Sequence, residues 1–371
     1  MNLNESIETN YIKYFFYKYI NRFLIIFYPI KFFINFNKID YNQVKTICIL
    51  SQWGIGDSIQ TSIILNSLLN SLPNCNFIIA GKENHKSLYT TDPRVSHLRL
   101  EPPWVKKNCK YNVINFYNFF RTLTQNKKKF DLIISNRFDI RDSLQVIALR
   151  PKYAYVYKQS GFNFLFANGS LKTYEQYLQN SIYRESIILV SDVLKAFKIY
   201  PKKNFFIQKN KIYSEKKDIA IIHPGGTDKD RHLCLDCNKK FIFDLVRDCI
   251  VYVVVDKDYN NEELYLLLKK EKILYKEWKG SLIELKRLID KCSIFIGTDS
   301  GPLHMALTSS KSSVGFYISH AKKIRWFTNI FNKNSFATFM HYKSCKYASK
   351  DYKKSFIIKN DREKFLVRIK K

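Results

Sequence analysis

A buried strand that runs directly into a helix is the most constraining feature of this sequence. The apolar run 293–297 is typical of a parallel strand, and Thr-Asp-Ser-Gly-Pro connects it to a helical pattern. Pro302 suits the first turn of a helix, where its missing N–H would have no partner anyway. Gly301 lets another molecule approach the backbone closely. Segment 293–306 therefore predicts one strand–helix unit of a parallel sheet.

The turn in this segment is suited to an anion. The N–H groups and the positive dipole end of the helix would face the crevice at the carboxyl end of the strand, where a pyrophosphate fits. Asp299 would lie beside it, placed to accept hydrogen bonds from sugar hydroxyls. An ordinary strand-to-helix turn with a capping Asp is the alternative, and this segment alone leaves both interpretations open.

Length and charge bound the class of protein. A chain of 371 residues fits two domains of moderate size, and 46% hydrophobic residues are enough for a buried core. Lys and Arg number 62 against 32 Asp and Glu, which gives a formal charge of +30. Such a charge favours anionic partners: nucleic acid, an acidic membrane or phosphorylated substrates. Charge alone does not choose among them.

The eight cysteines are scattered, and no secretory signal precedes them, which favours reduced thiols in the cytosol. Cys234 and Cys237 form the one C-x-x-C, with His223 and His232 nearby. A zinc or iron site would need two more ligands at credible spacing, so we expect no metal. Whether the cysteine pair binds anything stays open.

The N-terminal region 11–36 is aromatic and basic. Its apolar residues recur at helical spacing with Lys13, Lys18 and Arg22 on the other side. Its longest uncharged stretch, 23–30, is too short to span a bilayer, which takes about 20 residues. A cationic amphipathic helix on an anionic membrane and a helix packed on the protein are both consistent with this pattern.

Two similar halves follow this region. Apolar strand patterns alternate with helical ones, at 44–50, 77–81 and 130–135 in the first half and at 218–223, 250–255, 293–297 and 313–318 in the second. Such alternation predicts parallel sheets with helices on both faces. We therefore expect two doubly wound, Rossmann-like α/β domains facing a cleft. The expected division is a helical extension at 1–40, domains at 41–205 and 206–345, and a basic segment at 346–371.

Four motifs occur in one order along the chain. They are Gly54-Ile-Gly-Asp57 followed by Thr61, the Pro-Gly-Gly loop at 224–226 with a basic residue downstream, Gly-Ser-Leu-Ile-Glu-Leu at 280–285, and Asp-Ser-Gly-Pro-Leu-His at 299–304. Each is weak alone, but the ordered set resembles the heptosyltransferases of glycosyltransferase family 9, the ADP-heptose:lipopolysaccharide transferases. The resemblance extends over about residues 44 to 330. It implies a GT-B fold with an N-terminal acceptor domain, a C-terminal ADP-sugar domain, and inverting, metal-independent transfer.

The resemblance also implies roles for individual residues. Displacement at an anomeric carbon needs a base for the acceptor hydroxyl and positive groups for the leaving pyrophosphate. Asp57 matches the proposed base of the family, and a helix N-cap is its alternative role. The candidate acceptor-binding residues are Gly56, Arg137 and Arg141, and a solvated surface charge is the alternative for both arginines.

The candidate donor-binding residues lie in two segments. The Gly225 and Gly226 amides and Thr227 could bind phosphate oxygens as a nest of backbone N–H groups does. Arg231 falls near the position of a phosphate-binding Lys in relatives, and Lys229 competes for that role. The full set is Gly225, Gly226, Thr227, Lys229, Arg231, Asp299, Ser300, Gly301, Pro302 and His304.

The function implied is transfer of heptose from ADP-heptose to an anionic lipopolysaccharide or lipooligosaccharide core acceptor. We expect no cofactor besides the donor, a phosphorylated lipid-linked acceptor, and a cytoplasmic enzyme peripheral to the inner membrane. One alternative is a relative that uses another nucleotide sugar or acceptor. The other is a noncatalytic basic protein of membranes or nucleic acid, but no nucleic-acid module is visible and the charge is spread along the chain. A dinucleotide oxidoreductase is disfavoured because the third glycine of its fingerprint is missing after Gly54 and Gly56.

Overall fold

The computed structural model describes residues 40–89, 92–103, 113–125, 129–135, 140–157, 169–171, 182–199, 219–226, 231–255, 259–309, 311–318, 327 and 335–339. They form two compact units. The second unit holds the described residues from 219 onward together with Gly54–Ile59 and the described part of Gln179–Tyr183, and the first unit holds the rest. The predicted helical extension (apart from residue 40) and the basic segment 346–371 lie outside the described residues.

The first unit is built on a parallel sheet of six strands. They are β1 (Thr46–Ser51), β2 (Asn76–Gly81), β3 (Val95–Arg99), β4 (Leu132–Ile134), β5 (Tyr153–Tyr157) and β6 (Gly169–Leu171). Their order is β3-β2-β1-β4-β5-β6, and every neighbouring pair is parallel. The helices of this part of the chain are α1 (Ile55–Ser71), α2 (Val113–Thr124), α3 (Ile140–Leu149) and α4 (Ile182–Ala196).

The second unit repeats this plan. Its strands are β7 (Ile219–His223), β8 (Ile250–Val254), β9 (Tyr275–Trp278), β10 (Ile294–Thr298), β11 (Ser312–Tyr317) and β12 (Phe336–Phe339). Its helices are α5 (Leu235–Val246), α6 (Glu262–Lys270), α7 (Leu282–Ile289) and α8 (Gly301–Thr308). The strand order is β12-β11-β10-β7-β8-β9, again all parallel. Counted from the first strand of each unit, both sheets therefore have the order 3-2-1-4-5-6 of a Rossmann fold.

The central strands carry apolar residues on both faces because helices cover both faces of each sheet. In β1, Ile47, Cys48 and Ile49 are all fully buried, and in β10 Phe295 and Ile296 are buried in the same way. The predicted pair of doubly wound α/β domains is confirmed.

The strand order places one ligand crevice in each unit. In open parallel sheets, ligands bind beyond the carboxyl ends of the two adjacent strands at which the order reverses. Those strands are β1 and β4 in the first unit and β7 and β10 in the second. The candidate site residues follow the ends of these four strands.

Candidate active site

The ends of β7 and β10 bring two predicted donor segments together in the second unit. The buried Thr298 hydroxyl donates a hydrogen bond to the Gly225 carbonyl oxygen. A Cβ atom on Gly226 would lie 3.1 Å from Cβ of Arg231 and 3.5 Å from Oγ1 of Thr298. The Gly225-Gly226 turn is therefore packed tightly between the end of β10 and the candidate phosphate-binding Arg231.

The start of α8 has the form that the sequence predicted. Ser300 is the N-cap, and Gly301 and Pro302 are the first two helical residues. The Ser300 side chain makes no capping bond, since its hydroxyl donates to the Thr298 carbonyl at 2.9 Å and lies 3.1 Å from Nδ1 of His223. A hydroxyl has one proton, so both contacts are hydrogen bonds at the same time only in the His223 tautomer that carries its proton on Nδ1. The first turn of α8 is thus left without a side-chain cap from its N-cap residue.

Asp299 lies one residue before the N-cap, so the alternative in which it caps the helix is wrong. Its carboxylate is 5% exposed and faces two basic side chains. Oδ2 is 3.9 Å from Nη1 of Arg231, and Oδ1 is 3.7 Å from Nε2 of His304. Asp299 is therefore held inside the cluster of candidate donor residues.

Of these two side chains, Arg231 is the cation. Burial lowers the pKa of His304 and outweighs the opposite effects of Asp299 and Asp57, so the ring is neutral at pH 7. Its contact with Asp299 is accordingly not an ion pair. Arg231 is 27% exposed and keeps its charge, which makes it the positive group of this cluster.

Asp57 lies in the first turn of α1, within the segment Gly54–Ile59 of the second unit. The N–H of Gly54 donates to Oδ2 of Asp57 at 3.0 Å, and the N–H of Ser58 donates to the Gly54 carbonyl at 3.1 Å. Gly54 therefore occupies the N-cap position, and Asp57 is the third residue of the helix. The alternative of Asp57 as N-cap is wrong; its carboxylate makes one half of a capping box, which fixes its orientation.

Two glycines allow the first turns of α1 and α8 to touch within the second unit. A Cβ on Gly56 would lie 2.6 Å from Cδ2 of His304, and a Cβ on Gly301 would lie 2.7 Å from Cγ2 of Ile55. Both distances are shorter than real contacts of a Cβ atom. This packing brings the Asp57 carboxylate close enough to His304 for its charge to oppose the lowering of the His304 pKa by burial. The candidate base and the candidate donor residues therefore belong to one cluster.

The close approach of Gly56 to His304 predicts that Gly56→Ala destabilises the folded protein. The new methyl group must displace the buried ring of His304, so we expect a loss of about 1–3 kcal/mol in the free energy of unfolding. The better helix propensity of Ala offsets this by at most about 1 kcal/mol. Gly54→Ala is the matched control, since its Cβ would meet only Oδ2 of Asp57 at 3.5 Å. Equal denaturant midpoints for the two variants would contradict the close packing.

The first unit has a separate cluster at the ends of β1 and β4. Arg141, in the first turn of α3, places its guanidinium carbon 4.7 Å from the centre of the Trp53 ring. One turn later, the Gln145 amide donates to the Arg141 carbonyl at 3.2 Å and accepts a hydrogen bond from Gln52. Gln52 and Trp53 thus hold α3 at two points one turn apart.

Some predicted residues are not described. Arg137, Thr227 and Lys229 lie outside the described residues, so their roles stay predictions. Gly56, predicted for the acceptor, lies against His304, among the donor candidates. Cys234 and Cys237 are half-buried at the start of α5. Within the described ranges, no group of three or more His, Cys, Asp or Glu side chains is arranged to hold a metal ion.

Residues 247–354 match the sequence profile of glycosyltransferase family 9 (heptosyltransferase). This part of the chain belongs to that family. It contains the second sheet from β8 to β12 and the whole Asp299–His304 motif. The match confirms the resemblance found in the sequence and the enzyme class, a glycosyltransferase. A comparison with curated protein sequences gives no significant match.

Solved structures show the same fold. The Escherichia coli heptosyltransferase WaaC with ADP-2-deoxy-2-fluoro heptose has a TM-score of 0.63 at 12% identity, covering 87% of this chain and 99% of its own. The E. coli ADP-heptose lipopolysaccharide heptosyltransferase II has a TM-score of 0.57 at 13% identity, covering 88% of this chain and 100% of its own. A family 9 glycosyltransferase from Veillonella parvula has a TM-score of 0.59 at 15% identity, covering 90% of this chain and 99% of its own. At these identities the likeness supports the GT-B fold and nothing finer.

Sequence reasoning missed two parts of this transferase. His223 was noted only as a neighbour of the cysteine pair, whereas it contacts Ser300 at the donor turn. The Trp53–Arg141 stack was not expected. The position of His223 at the end of a buried strand was a usable signal, because strand ends line the crevice. The partner of Trp53 had no signal in the sequence.

No described helix is long and apolar enough to cross a membrane.

Proposed function

We propose that this glycosyltransferase moves heptose from ADP-heptose to a hydroxyl of a phosphorylated, lipid-linked core acceptor. The single observation that carries the proposal is the cluster of Asp57, Arg231, Asp299 and His304 at the uncapped first turn of α8. The ADP-2-deoxy-2-fluoro heptose in the WaaC structure supports an ADP-sugar as donor. A relative that uses another nucleotide sugar or acceptor is the alternative.

The donor pyrophosphate would bind at the N-terminus of α8 and the Gly225-Gly226 turn. Backbone N–H groups and the helix dipole favour an anion there. Arg231 would bind phosphate oxygens and offset the charge that develops as ADP leaves. Thr227 and Lys229 would add contacts in the same loop. No metal ion is needed in this scheme, because Arg231 compensates the negative charge of the leaving ADP.

Asp57 would act as the general base. The acceptor oxygen attacks the anomeric carbon and forms the new C–O bond, the bond to the ADP oxygen breaks, and the acceptor proton passes to Asp57. The Gly54 N–H at Oδ2 holds the carboxylate in one orientation. Attack opposite the leaving group inverts the configuration at that carbon. Asp299 and neutral His304 would bind sugar hydroxyls beside it.

The acceptor would be bound in the first unit. Arg141, stacked on Trp53, would bind a phosphate or carboxylate of the acceptor core, and Arg137 would assist. A lipid-linked acceptor implies a cytoplasmic enzyme that is peripheral at the anionic inner membrane surface, where the basic region 11–36 would add attraction. We propose no cofactor besides the donor and no nucleic-acid partner.

Nucleotide release tests this function. The purified protein is incubated with ADP-heptose, other ADP-sugars and UDP- or GDP-sugars, with and without a phosphorylated core acceptor. We expect acceptor-dependent ADP release from ADP-heptose alone, unchanged by EDTA. Release of UDP or GDP in place of ADP would contradict ADP-heptose as the donor. Loss of activity in EDTA would contradict transfer without a metal ion.

The Trp53–Arg141 stack gives a prediction for the acceptor. Trp53→Ala removes a cation–π contact of about 0.5–2 kcal/mol and lets Arg141 move, so we expect the acceptor KM to rise by roughly 2- to 30-fold. Trp53→Phe keeps an aromatic ring under Arg141, so its acceptor KM should stay near that of the parent. The donor KM is the control in both variants. A change confined to the donor KM would contradict the acceptor role of Arg141.

A further inference from the structure

One face of α2 carries two large apolar side chains in solvent. Ile114 is 65% exposed and Tyr117 is 64% exposed. They are three positions apart, so they lie on the same side of the helix, and Arg121 follows one turn later on that side and is also exposed. We call Ile114, Tyr117 and Arg121 the α2 face.

The opposite side of α2 anchors the helix to the first unit. Leu123 is buried in the core, and Phe119 and Phe120 pack against that core with their rings edge to face at 5.3 Å. The helix also packs against α3. The fold therefore uses the other side of α2 for its own stability, while Ile114 and Tyr117 on the α2 face stay about two-thirds exposed.

The sequence around α2 is entirely without acidic residues. Between Glu101 and Asp131, the stretch 102–130 contains seven Lys and Arg residues and no Asp or Glu. The chain as a whole has about one acid for every two cations, so this stretch is more one-sided than its surroundings. Exposed apolar side chains here occur within a basic stretch.

We propose that the α2 face docks on the surface of an anionic phospholipid bilayer. Aliphatic and aromatic side chains of an interfacial helix enter the boundary between headgroups and acyl chains. Tyrosine suits that depth because its ring is apolar and its hydroxyl is polar. Arg121 and the neighbouring lysines are attracted by the negative surface potential of the lipid. The choice of membrane rests on the proposed lipid-linked acceptor, whereas the binding itself does not require transfer.

Other occupants fit this face less well. A stable protein interface buries about 800 Å² on each partner, which two exposed side chains do not supply. A nucleic acid would use the cations but gains nothing from an exposed Ile114. A lipid surface uses both the apolar residues and the charge.

Site-directed fluorescence tests the contact on the full chain. Tyr117→Trp is compared with Leu266→Trp, a matched control because Leu266 is 69% exposed on α6 of the second unit. Vesicles contain phosphatidylglycerol and phosphatidylcholine with brominated acyl chains. We expect a blue shift and quenching of the added tryptophan for Tyr117→Trp and neither for Leu266→Trp. The parent chain, with its own four tryptophans, gives the background that is subtracted from both variants, and residues 11–36 contain no tryptophan that could add to the difference. No quenching at position 117, or equal quenching at position 266, would overturn the proposal.

A negative charge placed on the α2 face gives a second readout. Ile114→Asp should lower vesicle partitioning about tenfold or more, because burial of an Ile side chain is lost and a negative charge is added. Leu266→Asp should leave partitioning unchanged. Vesicle binding is measured without donor or acceptor, so its failure and failure of the transfer reaction are distinguishable. Turnover on a water-soluble acceptor should be the same in both variants. Dimers in lipid-free sedimentation that Ile114→Asp abolishes would instead assign the face to a second copy of the chain.

Discussion

Asp57→Asn is expected to abolish transfer while the protein stays folded and binds ADP normally. An amide cannot take the proton of the acceptor hydroxyl, and removal of a general base costs about 10²–10⁴-fold in rate. The Asn side-chain oxygen can still accept the Gly54 N–H, so the first turn of α1 keeps its hydrogen bond. Turnover at saturating donor and acceptor, ADP binding by calorimetry and a denaturant midpoint together test this prediction.

A second variant separates chemistry from structure. Asp57→Ala removes the capping bond as well as the base, so we expect the same loss of turnover together with a loss of about 1 kcal/mol in stability. The charge of Asp57 raises the pKa of His304, so in both variants the pKa of His304 should fall further. An NMR titration of His304 measures this. Turnover near that of the parent in Asp57→Asn would remove Asp57 from the mechanism.

Arg231→Ala should weaken donor binding or departure of ADP and leave acceptor binding nearly unchanged. A charge-assisted hydrogen bond to phosphate contributes about 1.5–3 kcal/mol, so the Kd for ADP should rise roughly 10- to 100-fold. Arg231→Lys keeps the positive charge but loses the planar guanidinium with its paired donors. Its Kd for ADP should therefore lie between those of the parent and of Arg231→Ala. Calorimetry with ADP and separate KM values for donor and acceptor measure the effect.

Stability must be measured in the same experiment, because Arg231 also faces the buried Asp299 at 3.9 Å. Without the cation, that carboxylate is left with neutral His304, so we expect the free energy of unfolding to fall in Arg231→Ala. The double variant Arg231→Ala, Asp299→Asn should recover stability but not ADP binding. If only the apparent affinity for the acceptor changed, the second unit would not be the donor domain.

Continuous apolar runs predicted seven strands correctly, but the interior strand β5, whose residues 153–156 are also buried, was not predicted. The seven runs correspond to β1, β2, β4, β7, β8, β10 and β11, which are buried on both faces, so each leaves an uninterrupted run in the sequence. β3 and β9 left no such run, because they are edge strands whose residues are largely half-exposed or exposed. The first turn of α8 was predicted because Ser300, Gly301 and Pro302 have local preferences that act within a few residues.

The local sequence thus determined most of the buried strands, the family resemblance and the identity of most candidate residues. It did not determine their partners. The contact of Gly56 with His304, the stack of Arg141 on Trp53 and the approach of Arg231 to Asp299 each join residues far apart in the chain. Periodicity and turn preference report on neighbours within a turn or two, whereas these contacts depend on which strands lie side by side. Strand order is decided by burial of the whole sheet, so only the tertiary structure could show that Asp57 lies beside His304.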